Sequence, residues 1–563
     1  MASVYEQRPW LKNYPKGVPS DFKEPEVSAL SLFEESASRY PEAPAIHYFD
    51  STITYGELDS LANSFAVGLA ELGVRKGDRV ILQLQNVPQL LVAQYAIWKL
   101  GAIVVPVNPM YKEKELEYFF NDCGAKLLIT MESTYQAAKG LVGKTPLEKI
   151  ITTSELDFLS TEYPVPDILK GYKRGKPAET IDMIELLDKY QGVSPPKVKT
   201  APDDVAHLIY TSGTTGPPKG AMNANRNIVF NAHIYKTVCH LDRQDRILGI
   251  APLFHVTGTI GHMAIASLLG IPIVIFFRFD SGEVLRLIEK WRPTMTAGSI
   301  TVFFALRDHP DFSKRDLSSL SKAMSGGAPV PAAFAESFKQ ATGVYIHNIY
   351  GLTETTSPCH MTPIGMESPV DEESGALSVG LPIPSSCAKI VDLESGTTEL
   401  PVGEVGEIIV KGPMVVPGYW GKPDETAHAI RQGWLYTGDV GKMDEDGWFY
   451  IVDRKKDLIN VSGFKVWPRD VEDVLYQHPA VREACVIGIP DSYRGETVKA
   501  FVSLVGGQEG KVTPDELMQF CKQRMAAYKY PRIVEIVSEI PKTQTGKMLR
   551  RQLRDEELKK MKS

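Results

Sequence analysis

Residues 210–220 read Tyr-Thr-Ser-Gly-Thr-Thr-Gly-Pro-Pro-Lys-Gly, which places three glycines, four hydroxyls and one lysine directly after an apolar stretch at 207–209. Gly213 and Gly216 lack a Cβ and let backbone N–H groups approach an oxyanion closely. The hydroxyls of Thr211, Ser212, Thr214 and Thr215 add donors, and Lys219 adds positive charge. This chemistry suits phosphate. It is not the Walker A spacing, because Lys219 is followed by glycine rather than Ser or Thr and Gly216 does not directly precede it. Taken alone, a Gly/Thr loop is also ordinary turn chemistry.

Four more segments concentrate polar groups: Tyr350-Gly-Leu-Thr-Glu354, Tyr436-Thr-Gly-Asp439, Asp453-Arg-Lys-Lys-Asp-Leu-Ile-Asn-Val-Ser-Gly463 and Pro541-Lys-Thr-Gln-Thr-Gly-Lys547. Each has a bland reading. An aromatic after Ile349 is more often core, TGD is a turn, and a lysine sixteen residues from the end of the sequence is ordinarily solvated. Together and in this order, the five segments resemble the acyl-adenylate-forming superfamily of acyl-CoA synthetases, luciferases and peptide-synthetase adenylation domains, over essentially the whole chain. Asp491-Ser-Tyr-Arg-Gly-Glu-Thr-Val-Lys499 and Pro417-Gly-Tyr-Trp420 are most similar to medium- and long-chain fatty acid–CoA ligases.

The resemblance implies a role for each segment. The 211–219 loop would hold the ATP phosphates, Tyr350 would stack on adenine with Asn348 at the base edge, Asp439 and Arg454 would reach the ribose, and Gly327, Ala328, Gly351 and Val452 would complete the ATP/AMP site. Thr353 would contact the α-phosphate, while Glu354 and Thr211 would hold Mg²⁺, a hard cation suited to carboxylate and phosphate oxygens. Lys547 would neutralise charge developing at the α-phosphoryl group, so Lys547, Thr353 and Glu354 form the implied catalytic set. Lys456 occupies the hinge position, where many relatives carry Asp. Ser462, Gly463, Phe464 and Lys465 would meet coenzyme A after the C-terminal domain has turned.

By the same resemblance, three segments line an acyl pocket with Phe254, His255, Val256, Gly298, Thr301, Val302, Ser325 and Gly326. They carry no aspartate that could pair an amino-acid ammonium, which points to a simple carboxylate. His255 could gate the entrance; a core histidine reads equally well. The implied activity is ATP-dependent formation of acyl-AMP and then acyl-CoA, with AMP and pyrophosphate as products, on medium- or long-chain fatty acids. Alternatives are an aryl or hydroxycinnamate–CoA ligase, an acyl-AMP ligase that loads a carrier protein, and a non-catalytic nucleotide-binding relative.

The elements that must position these residues show in the periodicity. Thr54 and Glu57 form a capping-box pattern ahead of Leu58, Leu61, Phe65 and Leu69 at helical spacing. Strand-like runs at 80–84 and 102–107 flank another helix-length segment, a βαβ pattern that predicts a parallel sheet. Residues 163–202, rich in Lys, Pro and Asp, read as a surface connection to a second α/β block ending near Ser368. Short strands at 407–411 and 448–452 mark a small β unit. Pro468 opens a helix whose Val471, Val474 and Leu475 share a face, and Thr513 with Glu516 opens another. The expected fold is α/β: a large N-terminal domain (1–453) of two α/β subdomains plus a small β-barrel-like unit, a hinge (454–456), and an α+β C-terminal domain (457–563) that the resemblance makes mobile.

With 563 residues and a net charge of −7, the chain gives no case for nucleic acid, although Arg550, Arg551, Lys559, Lys560 and Lys562 make its end locally basic. The six cysteines have neither zinc-ligand nor disulfide-framework spacing, and a reducing cytoplasm fits them. Residues 247–277 carry no Asp, Glu, Lys or Arg, yet Pro252, Gly258, Gly261, Gly270 and Pro272 interrupt them. A buried strand, helix and strand is expected there rather than a membrane span. The expected partners are a carboxylic acid, ATP and coenzyme A; peripheral membrane contact and a homodimer are compatible with the sequence.

Overall fold

The computed structural model describes residues 3–23, 25–211, 217–372, 375–454, 457–462, 464–491, 494–543 and 547–561, with the backbone alone at Arg454 and Lys465. Among these residues four sheets carry the fold. The first has seven strands in the order Ile181–Asp182, Lys149–Thr153, Leu127–Met131, Arg79–Gln83, Ile103–Pro106, Val205–Tyr210 and Gly220–Ala224. All neighbours are parallel except the last pair, a hairpin. Its central strands are buried on both faces, as parallel sheets covered by helices must be. Thr54 caps the helix Tyr55–Glu71 in the expected box, and the helix Pro88–Lys99 packs beside it, buried all round.

The second sheet has nine strands and runs from Leu381–Pro382 through Ser357–Met361, Ile346–Leu352, Lys322–Ser325, Met295–Gly298, Ile247–Leu248 and Ile273–Ile275 to Pro44–Tyr48 and Ser51–Thr54. It corrects the expectation of two blocks successive along the chain. Pro44–Tyr48 lies parallel to Ile273–Ile275, and the hairpin Val205–Tyr210/Gly220–Ala224 belongs to the first sheet. Periodicity reveals a strand but not a partner more than two hundred residues away.

Segment 247–277 is a strand, helix and strand as expected, but the helix passes from Val256–Gly258 through a π-turn, Thr259–Ala264, into Ile265–Leu269. Segment 163–202 is not a plain connection. Ile181–Asp182 adds an edge strand, and Asp182 accepts from Ile184 N and Glu185 N to cap Met183–Lys189, whose Leu186 packs on Gly68. Seven residues are too few for periodicity to register.

An antiparallel sheet of five strands, including Gly406–Lys411, Trp434–Met443 and Phe449–Arg454, forms the small β unit. The last sheet, also of five strands, spans Ile459–Ile536 and encloses its own core of Ile459, Val471, Leu475, Val502 and Leu517, separate from the large core that ends at Tyr450. The helix Pro468–Tyr476 buries Val471 and Leu475, and Thr513 caps Pro514–Lys522 by accepting from Glu516 N. The C-terminal helix Arg550–Lys560 closes this unit.

Candidate active site

The paired strands Val205–Tyr210 and Gly220–Ala224 flank the 211–219 segment, of which Ser212, Gly213, Thr214, Thr215 and Gly216 lie outside the described residues. Thr211 N donates to Lys219 O at 2.9 Å and closes its base. Surrounding side chains fix that base: Tyr210 donates to Asp122 at 2.7 Å and Tyr118 to Pro218 O at 2.6 Å. Lys219 Nζ lies 2.5 Å from Glu425 Oε2 and 5.1 Å from the centre of the Tyr419 ring. Tyr419 in turn donates to Glu354 Oε1 at 2.7 Å. One ring thus links the lysine of the loop to the carboxylate of the second motif. Burial, reinforced by Glu354, pushes the Tyr419 hydroxyl pKa far up, so it stays a donor.

Tyr350 sits on Ile346–Leu352, and its hydroxyl donates to Asp439 Oδ2 at 2.7 Å. The next residue must be glycine: a Cβ on Gly351 would lie 1.9 Å from Ser357 O across the strand pair. Thr353 and Glu354 follow in a tight turn that ends with two consecutive non-glycine residues at positive φ, Thr356 (52°) and Ser357 (87°). Such backbone is held only when its surroundings over-determine it. Here, Asn223 Nδ2 donates to Thr353 O and Thr356 Oγ1, and Asn231 Nδ2 donates to Thr355 O and Thr356 O. Both asparagines are fully buried.

Two cavities meet at Gly327 and Lys547; Gly351, just ahead of this turn, borders one of them, and Thr353 and Glu354 border neither. One, of about 620 Å³, is lined by Gly327, Ala328, Asn348, Tyr350, Gly351 and Asp439 from the N-terminal part and by Lys547 from the C-terminal unit. The other, of about 930 Å³, is lined by Phe254, His255, Gly298, Thr301, Val302 and Gly326, with Gln85, Phe276 and Phe277 beyond them. Gly327 and Lys547 border both. A Cβ on Gly327 would lie 3.8 Å from Lys547 Cε, and its φ of +75° favours glycine. Thr543 holds Lys547 by two hydrogen bonds: Thr543 N donates to Lys547 O at 2.7 Å, and Lys547 N to Thr543 Oγ1 at 3.0 Å. Burial, then the Lys547 charge, lowers the His255 pKa to about 3, so the acid-side cavity presents a neutral imidazole.

Residues 33–420 match the family described as AMP-binding enzyme, and residues 470–547 match the AMP-binding enzyme C-terminal domain. The chain belongs to the AMP-binding enzyme family. It is 38% identical to a long-chain-fatty-acid–CoA ligase of Bacillus subtilis over 98% of this chain and 99% of that one. A feruloyl-CoA synthase of an Amycolatopsis species is 34% identical, covering 91% of this chain and 96% of the relative. Among solved structures, an anthranilate CoA ligase in complex with anthranoyl-AMP superposes with a TM-score of 0.86 at 29% identity, covering 96% of this chain and 98% of the other.

In this AMP-binding enzyme not every residue expected at the site lines a cavity. Val452 points away between Ile451 and Asp453, which face the nucleotide-side cavity; Val256 and Ser325 lie buried behind the acid-side wall. Ser462 and Phe464 lie outside both cavities, Ser462 at φ +53° and Phe464 55% exposed and stacked on Tyr528 at 4.7 Å. Lys456 and Gly463 lie outside the described residues, as do the side chains of Arg454 and Lys465. Sequence reasoning missed Asn223 and Asn231. Part of a signal was present, since Asn227 and Asn231 stand four residues apart on one face of the helix Asn225–Val238, whereas Asn223 lies on the strand Gly220–Ala224 before it. Asn227 donates to Pro413 O and Val415 O.

Proposed function

We propose that this enzyme is an ATP-dependent long-chain fatty acid–CoA ligase that works through an acyl-adenylate. The observation that carries the reading is the position of Lys547, at the junction of a cavity lined by Tyr350 and Asp439 and a second, largely apolar one. In the first half-reaction a fatty carboxylate at that junction attacks the α-phosphorus of ATP, the P–O bond to the β-phosphate breaks, and pyrophosphate leaves. Lys547 offsets the negative charge crowded between the two reactants, a requirement of the transition state more than of binding. Thr353 orients the α-phosphate, Asp439 accepts from the ribose hydroxyls, and the 211–219 loop holds the outgoing phosphates.

Among the described residues no group of three or more His, Cys, Asp or Glu forms a metal cage. Mg²⁺ needs none, since it is commonly held by one or two carboxylates plus substrate phosphates and water. Glu354, fixed through Tyr419 beside Lys219, is a carboxylate of that kind, and Thr211 offers a hydroxyl. When bound, Mg²⁺ neutralises phosphate charge.

In the second half-reaction the coenzyme A thiol attacks the acyl carbon of the mixed anhydride and releases its proton to solvent; the C–S bond of the thioester forms, the C–O bond between the acyl carbon and the AMP phosphate breaks, and AMP leaves. With Ser462 and Phe464 outside both cavities, this step requires the C-terminal unit to turn about residues 454–456, withdrawing Lys547 and presenting 462–465. Among the described residues no helix is long and apolar enough to cross a membrane.

A second reading, an aryl–CoA ligase, draws on the rings of Phe254, Phe276 and Phe277 along the acid-side cavity. The test is acid-dependent AMP formation with coenzyme A across acetate, hexanoate, laurate, palmitate, benzoate and 4-coumarate, beside a pyrophosphate-release control without coenzyme A. The expected result is a coenzyme A-dependent maximum among the longer alkanoates, with each added methylene raising kcat/KM by about fourfold until the cavity is full. A maximum at 4-coumarate would establish the second reading, and pyrophosphate release without thioester would replace both with a carrier-loading ligase.

A further inference from the structure

Arg550, the first residue of the C-terminal helix, places its guanidinium among three carboxylates: Glu472 Oε2 at 2.5 Å, Asp457 Oδ2 at 3.6 Å and Asp453 Oδ1 at 3.7 Å. Glu472 and Asp457 follow residues 454–456 in the chain and travel with the C-terminal unit. Asp453 precedes them, at the end of the strand Phe449–Arg454, which is paired into the N-terminal part along Trp434–Met443. Its carboxylate is 1% exposed and also accepts from Arg469 N at 2.9 Å, in the first turn of Pro468–Tyr476, where helical N–H groups lack an intrahelical partner. Arg469 grips the same strand a second time by donating from Nη1 to Ile451 O at 2.7 Å.

We propose that Asp453 and Arg550 form an electrostatic latch across residues 454–456 that holds the C-terminal unit in the adenylate-forming orientation, making Arg550 a positioning residue for Lys547. Arg550 lies three residues beyond Lys547, and Leu549 N between them donates to Pro541 O at 2.9 Å. Together with the Thr543–Lys547 contacts this ties Arg550 to Lys547 through Pro541 and Thr543, so the contact that fixes Arg550 also fixes the lysine at the cavity junction. The latch is exchangeable by construction. When the unit turns, Arg550 keeps Glu472 and Asp457 and gives up Asp453 alone, so its guanidinium stays paired, while Arg469, which gives up Ile451 O, keeps Asp473 at 3.6 Å. Releasing Asp453 should therefore bias the unit toward the orientation that serves the thiol.

This inference rests on the two-step reading above, and the test separates the two. In Asp453→Asn the neutral amide still accepts from Arg469 N but no longer attracts Arg550. Adenylate formation, followed by single-turnover pyrophosphate release, should slow about tenfold, while thioester formation from supplied acyl-adenylate and coenzyme A should stay within about twofold of the parent or rise. Arg550→Lys should recover most of the adenylation lost in Arg550→Met, an effect that a merely packing role would not produce. Equal losses in both half-reactions, or no loss in either, would overturn the latch. Spin labels at the exposed Val142 and Val505 give an independent readout, since Asp453→Asn should shift the distance distribution between the two parts. An unchanged distribution would also overturn the latch. Absence of AMP formation by the parent enzyme with every acid would instead remove the functional reading and leave the distance measurement to judge the latch.

Discussion

At the scale of single residues, Lys547 has the most to do. It serves a charge that exists mainly in the transition state, so Lys547→Ala should slow adenylation by about 10²- to 10³-fold while leaving ATP affinity within about twofold, read by single-turnover pyrophosphate release and by calorimetric titration. An equal fall in ATP affinity would make Lys547 a binding residue only. Its motif could be read from the chain because resemblance identifies a residue by its local neighbours. Tyr350 and Asp439 were legible in the same way, although their mutual hydrogen bond across 89 residues was not. Asn231 escaped notice because its two acceptors, Thr355 O and Thr356 O, are backbone atoms over a hundred positions away and leave no trace in their own side chains.

At the scale of elements, the turn carrying Thr353 and Glu354 is held by its neighbours rather than by its own preferences. Asn231→Leu would leave two buried carbonyls without their donor and lower stability by about 2 kcal/mol or more, with the Thr356 backbone then free to leave positive φ. Denaturant unfolding should report the loss, and the adenylation rate should fall with little change in the apparent affinity for the fatty acid, because the acid-side cavity is built from other strands. The helices that position the site were readable where a cap met a long apolar stripe, as at Thr54 and Thr513. The edge strand Ile181–Asp182 with its capped helix was hidden by brevity within a polar segment. The order of strands in each sheet was not readable at all, since alternation and apolar runs specify a face and not a neighbour.

At the scale of the whole molecule, two opposed substitutions should divide the catalytic cycle. Lys456→Pro, at the hinge position the resemblance assigns, should restrict the turn and slow thioester formation selectively, complementing the adenylation defect of Asp453→Asn; equal slowing of both half-reactions would remove residue 456 from that role. Acid should destabilise the folded chain early. Burial lowers His47, His233 and His347 to a pKa of about 4 and His207, His255, His262 and His360 to about 3. Below the ordinary value of 6.5 the unfolded chain binds protons that the folded chain refuses, so stability falls as pH drops from about 6.5 towards 4. Asp473, buried and raised to about 6, and Glu155, also raised by burial, work in the opposite sense. Tm measured across that window should decline steadily, and His262→Gln should flatten the slope; a Tm independent of pH there would contradict the buried neutral imidazoles. The pairing of Pro44–Tyr48 with Ile273–Ile275 also has a consequence for biosynthesis. At about 5–20 residues per second a ribosome needs roughly 10–45 s to deliver Ile273 after Ile46, and through that interval the early strand has no sheet to join. The first two hundred residues are therefore not a separable module, and a nascent chain stalled before the later strand emerges would offer an unsatisfied apolar edge to chaperones rather than a finished domain.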